Sequence, residues 1–146
     1  MKYAKVYFDD VNVGDELPPL VKGPIQQIQL TRYAGASGDF NPIHQDPDFA
    51  KAAGMGDVFG HGMLSMGFVA QAVTDWAGAG TVQKLGVRFG GLVRLKDTVT
   101  CKGRVLGKSS KDGLHLCEVE IWAENQRGEK VVTGKATVAL AAREQS

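Results

Sequence analysis

An acid and an imidazole, Asp39 and His44, stand five residues apart in the run Ser37-Gly38-Asp39-Phe40-Asn41-Pro42-Ile43-His44. A Gly-His-Gly step, Gly60-His61-Gly62, follows just before an apolar segment rich in small residues. Pro42 pushes Asn41 out of the α region and Gly38 tolerates backbone angles that other residues avoid, so the loop is non-helical and Asp39 and His44 can converge on one small group. Histidine titrates near neutrality unaided, whereas aspartate needs burial or a neighbour to shift it. The two can divide the protons of one bound water between them. The backbone supplies the electrophilic counterpart: the N–H of Gly62, at a helix start, can hold a developing oxyanion, and a glycine lets a carbonyl approach closely. Asn41 can orient the pair through hydrogen bonds.

Each of these residues also has a plainer reading. Asp39 alone reads as a turn residue that spends its carboxylate on nearby amides. His44 alone reads as a packed or surface histidine, His61 as a structural residue capping the following helix, and His115 as a strand residue with no acidic relay partner. Met63, Met66 and Phe68 read as core, although part of their helix can line an acyl tunnel, with Met63 as a substrate contact. Lys84, Arg88, Arg94 and Lys96 read as a solvated strand face. Cys101 and Cys117 lack metal-ligand spacing and read as structural thiols.

The elements that must position this loop follow from the local pattern. Phe8 to Leu20, with Asp9-Asp10, Gly14-Asp15 and Pro18-Pro19, reads as a surface segment. A short extended run broken by Gly23-Pro24 comes next, then a short helix capped by Thr31 and ending near Gly35. Asp46-Pro47 reads as an N-cap with proline at the first helical position, opening a helix through Ala53 that Gly54 closes. Gly62 to Ala77 is the longest helix; its apolar residues run nearly all round the wheel, so burial on most faces is expected. Four extended segments follow: Val82 to Phe89, Thr98 to Leu106, Leu114 to Ala123, and Val131 to Leu140. The middle two alternate with period two, and Lys108 to Gly113 and Asn125 to Glu129 read as turns. One buried helix followed by consecutive strands implies an α+β architecture, a four-stranded antiparallel meander wrapped around a central helix. Its open edges make pairing with a second copy plausible.

Bulk properties narrow the function classes. A chain of 146 residues suits a single domain that buries roughly two-thirds of its unfolded surface. With 17 basic and 16 acidic side chains and no block of like charge, the composition argues against nucleic-acid binding. No apolar run approaches membrane-spanning length, and Met1 to Lys5 leads into acidic and Gly/Pro residues rather than a signal-type core. A soluble cytoplasmic protein with a frayed tail from Ala141 to Ser146 is expected.

Taken together, Gly38-Asp39-Phe40-Asn41-Pro42-Ile43-His44, Ala50 and Gly60-His61-Gly62-Met63-Leu64 resemble the hydratase-2 motif of the MaoC-like (R)-specific enoyl-thioester hydratases and dehydratases. The resemblance extends from Phe8 through Leu140. It implies a hotdog fold over 1–146, with Asp39 and His44 as the catalytic pair and Gly62 as the oxyanion donor. It implies no metal and no redox cofactor, an acyl-CoA or acyl carrier protein thioester as substrate, and a homodimer or a dimer with a related hotdog subunit. The implied reaction is hydro-lyase chemistry: hydration of a trans-2-enoyl thioester or its reverse. A hotdog thioesterase and the partner subunit of a heteromeric dehydratase are the alternatives. Many relatives carry a Phe-x-x-Pro-Val-x-x-Gly-Asp run; here Leu92 stands for its proline and Lys96 for its glycine, which puts the shape of that turn in doubt.

Overall fold

The fold is built on the helix α3 (Gly62–Ala77). Ser65, Phe68, Val69, Ala72, Val73 and Ala77 are buried along it, a stripe at helical spacing. Fully burying a side chain such as Val69 or Val73 stabilises the fold by about 1.5–3 kcal/mol. The opposite row, Met63, Gly67, Gln71 and Asp75, is exposed. Burial on most faces therefore fails along one row, which the polar Gln71 and Asp75 fit.

The computed structural model describes residues 6–144. The first five residues, whose lack of a signal-type core was noted, and the last two of the expected frayed tail lie outside them. Among the described residues no helix is long and apolar enough to cross a membrane. The described part of the tail is held rather than frayed. The Phe8 N–H donates to the Ala141 carbonyl at 2.8 Å, and the Arg143 guanidinium reaches Asp10 Oδ2 at 2.6 Å.

Five antiparallel strands form one sheet: β1 (Leu20–Lys22), β2 (Val82–Phe89), β3 (Val99–Lys111), β4 (Leu114–Glu124) and β5 (Lys130–Leu140). They lie in the order β1-β3-β4-β5-β2. The α+β reading holds, but the four-stranded meander needs two corrections. β1 adds a fifth strand, and β2 pairs with β5 rather than with its sequence neighbour β3. The alternation in β3 and β4 puts Val99, Cys101, Val105, Cys117, Val119, Ile121 and Ala123 against α3, where all are buried. Both thiols are free, as read from the sequence, and burial pushes the Cys101 thiol up to about 12 and raises that of Cys117. β3 runs on to Lys111, so the β3–β4 turn is the tight Asp112-Gly113 step, both at positive φ, and not the longer loop from Lys108.

Two helices precede α3. α1 (Gln27–Ser37) begins before Thr31, which is interior to it, and ends on Gly38 in the left-handed region at φ 77°. Thr31 Oγ1 has two acceptors in reach, Gln45 Oε1 at 2.9 Å and the Gln27 carbonyl one turn back at 3.1 Å, and it caps neither end of the helix. α2 (Pro47–Ala52) has the expected N-cap: Asp46 Oδ1 accepts from the N–H groups of Asp48 at 2.9 Å and Phe49 at 3.3 Å.

The turn whose shape was in doubt contains a left-handed residue. Lys96 adopts φ 71°, the conformation that glycine adopts without strain. Buried Asp97 fastens the turn: Oδ2 accepts from the Arg94 N–H at 2.9 Å and Oδ1 from Gln126 Nε2 at 2.8 Å, with Arg127 Nη1 3.6 Å away.

Candidate active site

Asp39 sits just past the α1 C-cap. Its N–H donates to Ser37 Oγ at 3.2 Å, and its Oδ1 accepts from the Asn41 N–H at 3.2 Å. One carboxylate oxygen therefore does what a turn aspartate does. The other, Oδ2, lies 3.9 Å from His44 Nε2. Asn41 Oδ1 accepts from the Ile43 N–H at 3.1 Å and so opens the 3-10 turn Pro42–His44 that carries the histidine. Asn41 thus shapes both ends of the pair, through its backbone on Asp39 and its side chain on the turn.

His44 is buried, with Nδ1 2.7 Å from the Phe59 carbonyl. A carbonyl only accepts, so Nδ1 carries a proton and Nε2 is the nitrogen that faces Asp39. A separation of 3.9 Å is too long for a direct hydrogen bond. A single water can reach both atoms from beside that line. The His44 side chain is 9% exposed and that of Asp39 49%, so the histidine is fixed by packing while the carboxylate meets solvent.

The approach to α3 is fixed by residues that the sequence reading left aside. Arg94, taken there as part of a solvated face, donates through Nη1 to the carbonyls of Met55 at 2.9 Å and Asp57 at 3.1 Å. The Gly60 N–H donates to the Val93 carbonyl at 2.7 Å. These bonds place Gly62 at the first turn of α3, where its N–H has no acceptor among the described residues. A cleft of about 230 Å³ opens beside it, lined by Phe59, Gly60, Gly62, Ser65, Phe89, Gly91, Leu92, Val93, Val131 and Val132. Met63 is 56% exposed at the same helix end, against the core reading, whereas Phe68 is buried in the core as expected.

His61 departs from its expected role. It stands at the N-cap of α3, but its side chain makes no cap hydrogen bond. The ring is buried and stacks on that of His44, with centroids 4.0 Å apart and an interplanar angle of 28°. Its Nε2 lies 3.2 Å from the Asp39 carbonyl oxygen. Burial lowers its proton affinity below the ordinary histidine range, against the opposing pull of the Asp39 carbonyl. No sequence signal pointed to this contact, because the two rings meet only through tertiary packing.

Asp39, His44 and His61 each offer a ligand atom, all within 4.8 Å of one another. A divalent ion needs lone pairs that converge at about 2.0–2.2 Å. One nitrogen of each imidazole already faces a carbonyl, His44 Nδ1 that of Phe59 and His61 Nε2 that of Asp39.

The MaoC like domain family profile matches residues 11–127. The chain is 36% identical over 110 residues to the 3-oxo-4,17-pregnadiene-20-carboxyl-CoA hydratase beta subunit of Mycobacterium tuberculosis, covering 75% of this chain and 80% of that one. It is 32% identical over 143 residues to an (R)-specific enoyl-CoA hydratase of Rhodospirillum rubrum, covering 94% and 93%. Among solved structures, the unliganded R-hydratase PhaJ1 from Pseudomonas aeruginosa superposes with a TM-score of 0.85 at 26% identity, over 97% of this chain and 92% of that one. The sheet wrapped around α3 is therefore the hotdog fold of these proteins.

Proposed function

The chain belongs to the MaoC-like domain family, and on that premise we propose that it adds water to trans-2-enoyl thioesters to give (3R)-hydroxyacyl thioesters, and catalyses the reverse dehydration. The observation that supports this most is the pairing of Asp39 Oδ2 and His44 Nε2 at 3.9 Å beside the α3 N-terminus. In the hydration direction, one water sits between the carboxylate and the imidazole. Its oxygen forms the new bond to C3 as one of the two groups takes its proton. The electron pair of the double bond moves onto the thioester carbonyl, where the Gly62 N–H stabilises the enolate-like oxygen. C2 then takes a proton from the same pair, on the face that received the hydroxyl. Dehydration retraces these steps, and no redox equivalent enters or leaves.

Asn41 holds the pair in register, and Met63, exposed in the first turn of α3, lies against the acyl or pantetheine portion. The thioester carrier is CoA or an acyl carrier protein, and the whole chain, 1–146, forms one domain. A second hotdog subunit, identical or related, covers the apolar side chains left exposed near the site: Phe40 at 68%, Met63 at 56% and Phe89 at 50%. A relative described as a beta subunit supports such pairing. Free, buried Cys101 and Cys117 suit the reducing cytoplasm.

The test is loss of enoyl absorbance when the purified protein meets crotonyl-CoA, with chiral analysis of the product and D39N as control. The expected product is (R)-3-hydroxybutyryl-CoA, with D39N slower by about 10²–10⁴-fold. Release of free thiol in place of hydration would overturn the assignment in favour of a thioesterase.

A further inference from the structure

No proton-transfer step assigned above uses His61, yet it is the most deeply buried of the site's three ionisable side chains, at 1% exposure. Because the Asp39 carbonyl can only accept, the hydrogen bond at 3.2 Å puts the imidazole proton on Nε2 and leaves a lone pair on Nδ1. Nδ1 is buried with no hydrogen-bond partner among the described residues. One face of the ring lies on His44, and the Tyr33 ring meets it edge-on at 4.8 Å. In the chain His61 is the residue immediately before Gly62.

Two segments must act in one frame. Asp39 and His44 lie on the loop after α1, whereas the oxyanion donor lies at the start of α3. Each member of the acid/base pair is tied to the second segment by one hydrogen bond, His44 through the Phe59 carbonyl and Asp39 through His61. The distance between C3 and the carbonyl oxygen of an enoyl thioester is fixed by covalent bonds. The distance between the acid/base pair and the Gly62 N–H must match it.

Stability alone would not select this residue. A buried acceptor with no partner is a cost that phenylalanine, of similar shape, would not carry. The side chain caps nothing, so phenylalanine would forfeit no cap. Burial also favours the neutral ring, which matters because the pair beside it, His44 and Asp39, exchanges a proton with the water during turnover.

Resting on the hydration reading, we infer that His61 is a positioning residue: its Nε2–H holds the Asp39 carbonyl, and through the adjacent Gly62 it sets the acid/base pair at a fixed distance from the oxyanion donor. The test compares wild type, H61F and H61Q for thermal unfolding and for crotonyl-CoA hydration, together with the ¹⁵N NMR tautomer of His61 in the wild type. H61F keeps an aromatic face on His44 and deletes the Nε2–H donor together with the partnerless Nδ1 acceptor. It should unfold no earlier than wild type while kcat falls by about 10²-fold and KM changes little. H61Q, with an amide donor in reach, should regain most of that loss. The wild-type ring should appear as the neutral Nε2–H form at pH 7. An H61F protein with wild-type kcat, one that unfolds early or fails to fold, or a charged or Nδ1–H ring would each overturn the inference. Absence of turnover in the wild type counts against the hydration reading instead, and leaves the tautomer measurement to judge the contact.

Discussion

Replacing Gly62 with alanine should separate stability from turnover. The glycine has no left-handed φ that an alanine would strain. At a helix position alanine is intrinsically favoured over glycine by up to about 1 kcal/mol, and less in the first turn. Against that gain, an added Cβ would lie 3.2 Å from Phe89 Cδ1 and Cε1, closer than ordinary contact. Phe89 ends β2 and is half exposed, so its ring can swing outward at small cost. The two effects nearly cancel, and stability should change by about 0.5 kcal/mol or less. Turnover should respond very differently. The new methyl enters the cleft between Gly62 and Phe89 and holds the thioester carbonyl off the N–H. Losing one oxyanion donor costs about 2.7–4 kcal/mol of barrier, or about 10²–10³ in kcat. Thermal unfolding and the enoyl absorbance assay on the same preparation measure both quantities. A G62A protein of normal stability and near-normal kcat would refute the role given to this N–H.

Other changes follow from the same geometry. Lys96→Gly should raise stability by about 0.5–1 kcal/mol, the left-handed penalty of about 1–2 kcal/mol less the entropy cost of glycine; a Tm gain of about 2–4 °C in a thermal melt checks it. Gly134→Ala should be severe, since its Cβ would lie 2.1 Å from the Gly86 carbonyl oxygen and force β2 off β5. A loss of about 3 kcal/mol or more is expected in a denaturant titration. Cys101 and Cys117 should resist iodoacetamide at pH 8 in the native state and both react after unfolding, because burial excludes the reagent and keeps the thiols protonated; mass spectrometry reads the difference.

Much of this was legible in the sequence wherever local chemistry decided the structure. Gly62 and Gly78 bound α3 where the apolar run begins and ends, and Asp46-Pro47 opens α2 because a carboxylate and a fixed φ suffice locally. The conjunction of Asp39, His44 and Gly62 was legible too, although its catalytic use is a proposal. Features set by distant partners were hidden. β1 has only three residues, and its pairing with β3 reaches across the chain to Val99–Cys101. The expectation that neighbouring strands pair failed at β2, because β5 occupies the sheet position beside it. Lys108 to Lys111 looked like a turn because their side chains are polar, but their backbone pairs with Leu114 to Cys117. His61 looked like a cap because it stands at a helix start; its contact with His44 depends on how the two loops fold together.

Hydration of crotonyl-CoA in D₂O, with NMR assignment of the C2 and C3 configurations in the product, tests the shared water most directly. One water held between Asp39 and His44 should give a single diastereomer, with deuterium at C2 on the same face as the hydroxyl at C3. A product with deuterium on the opposite face, or an even mixture of the two, would contradict it.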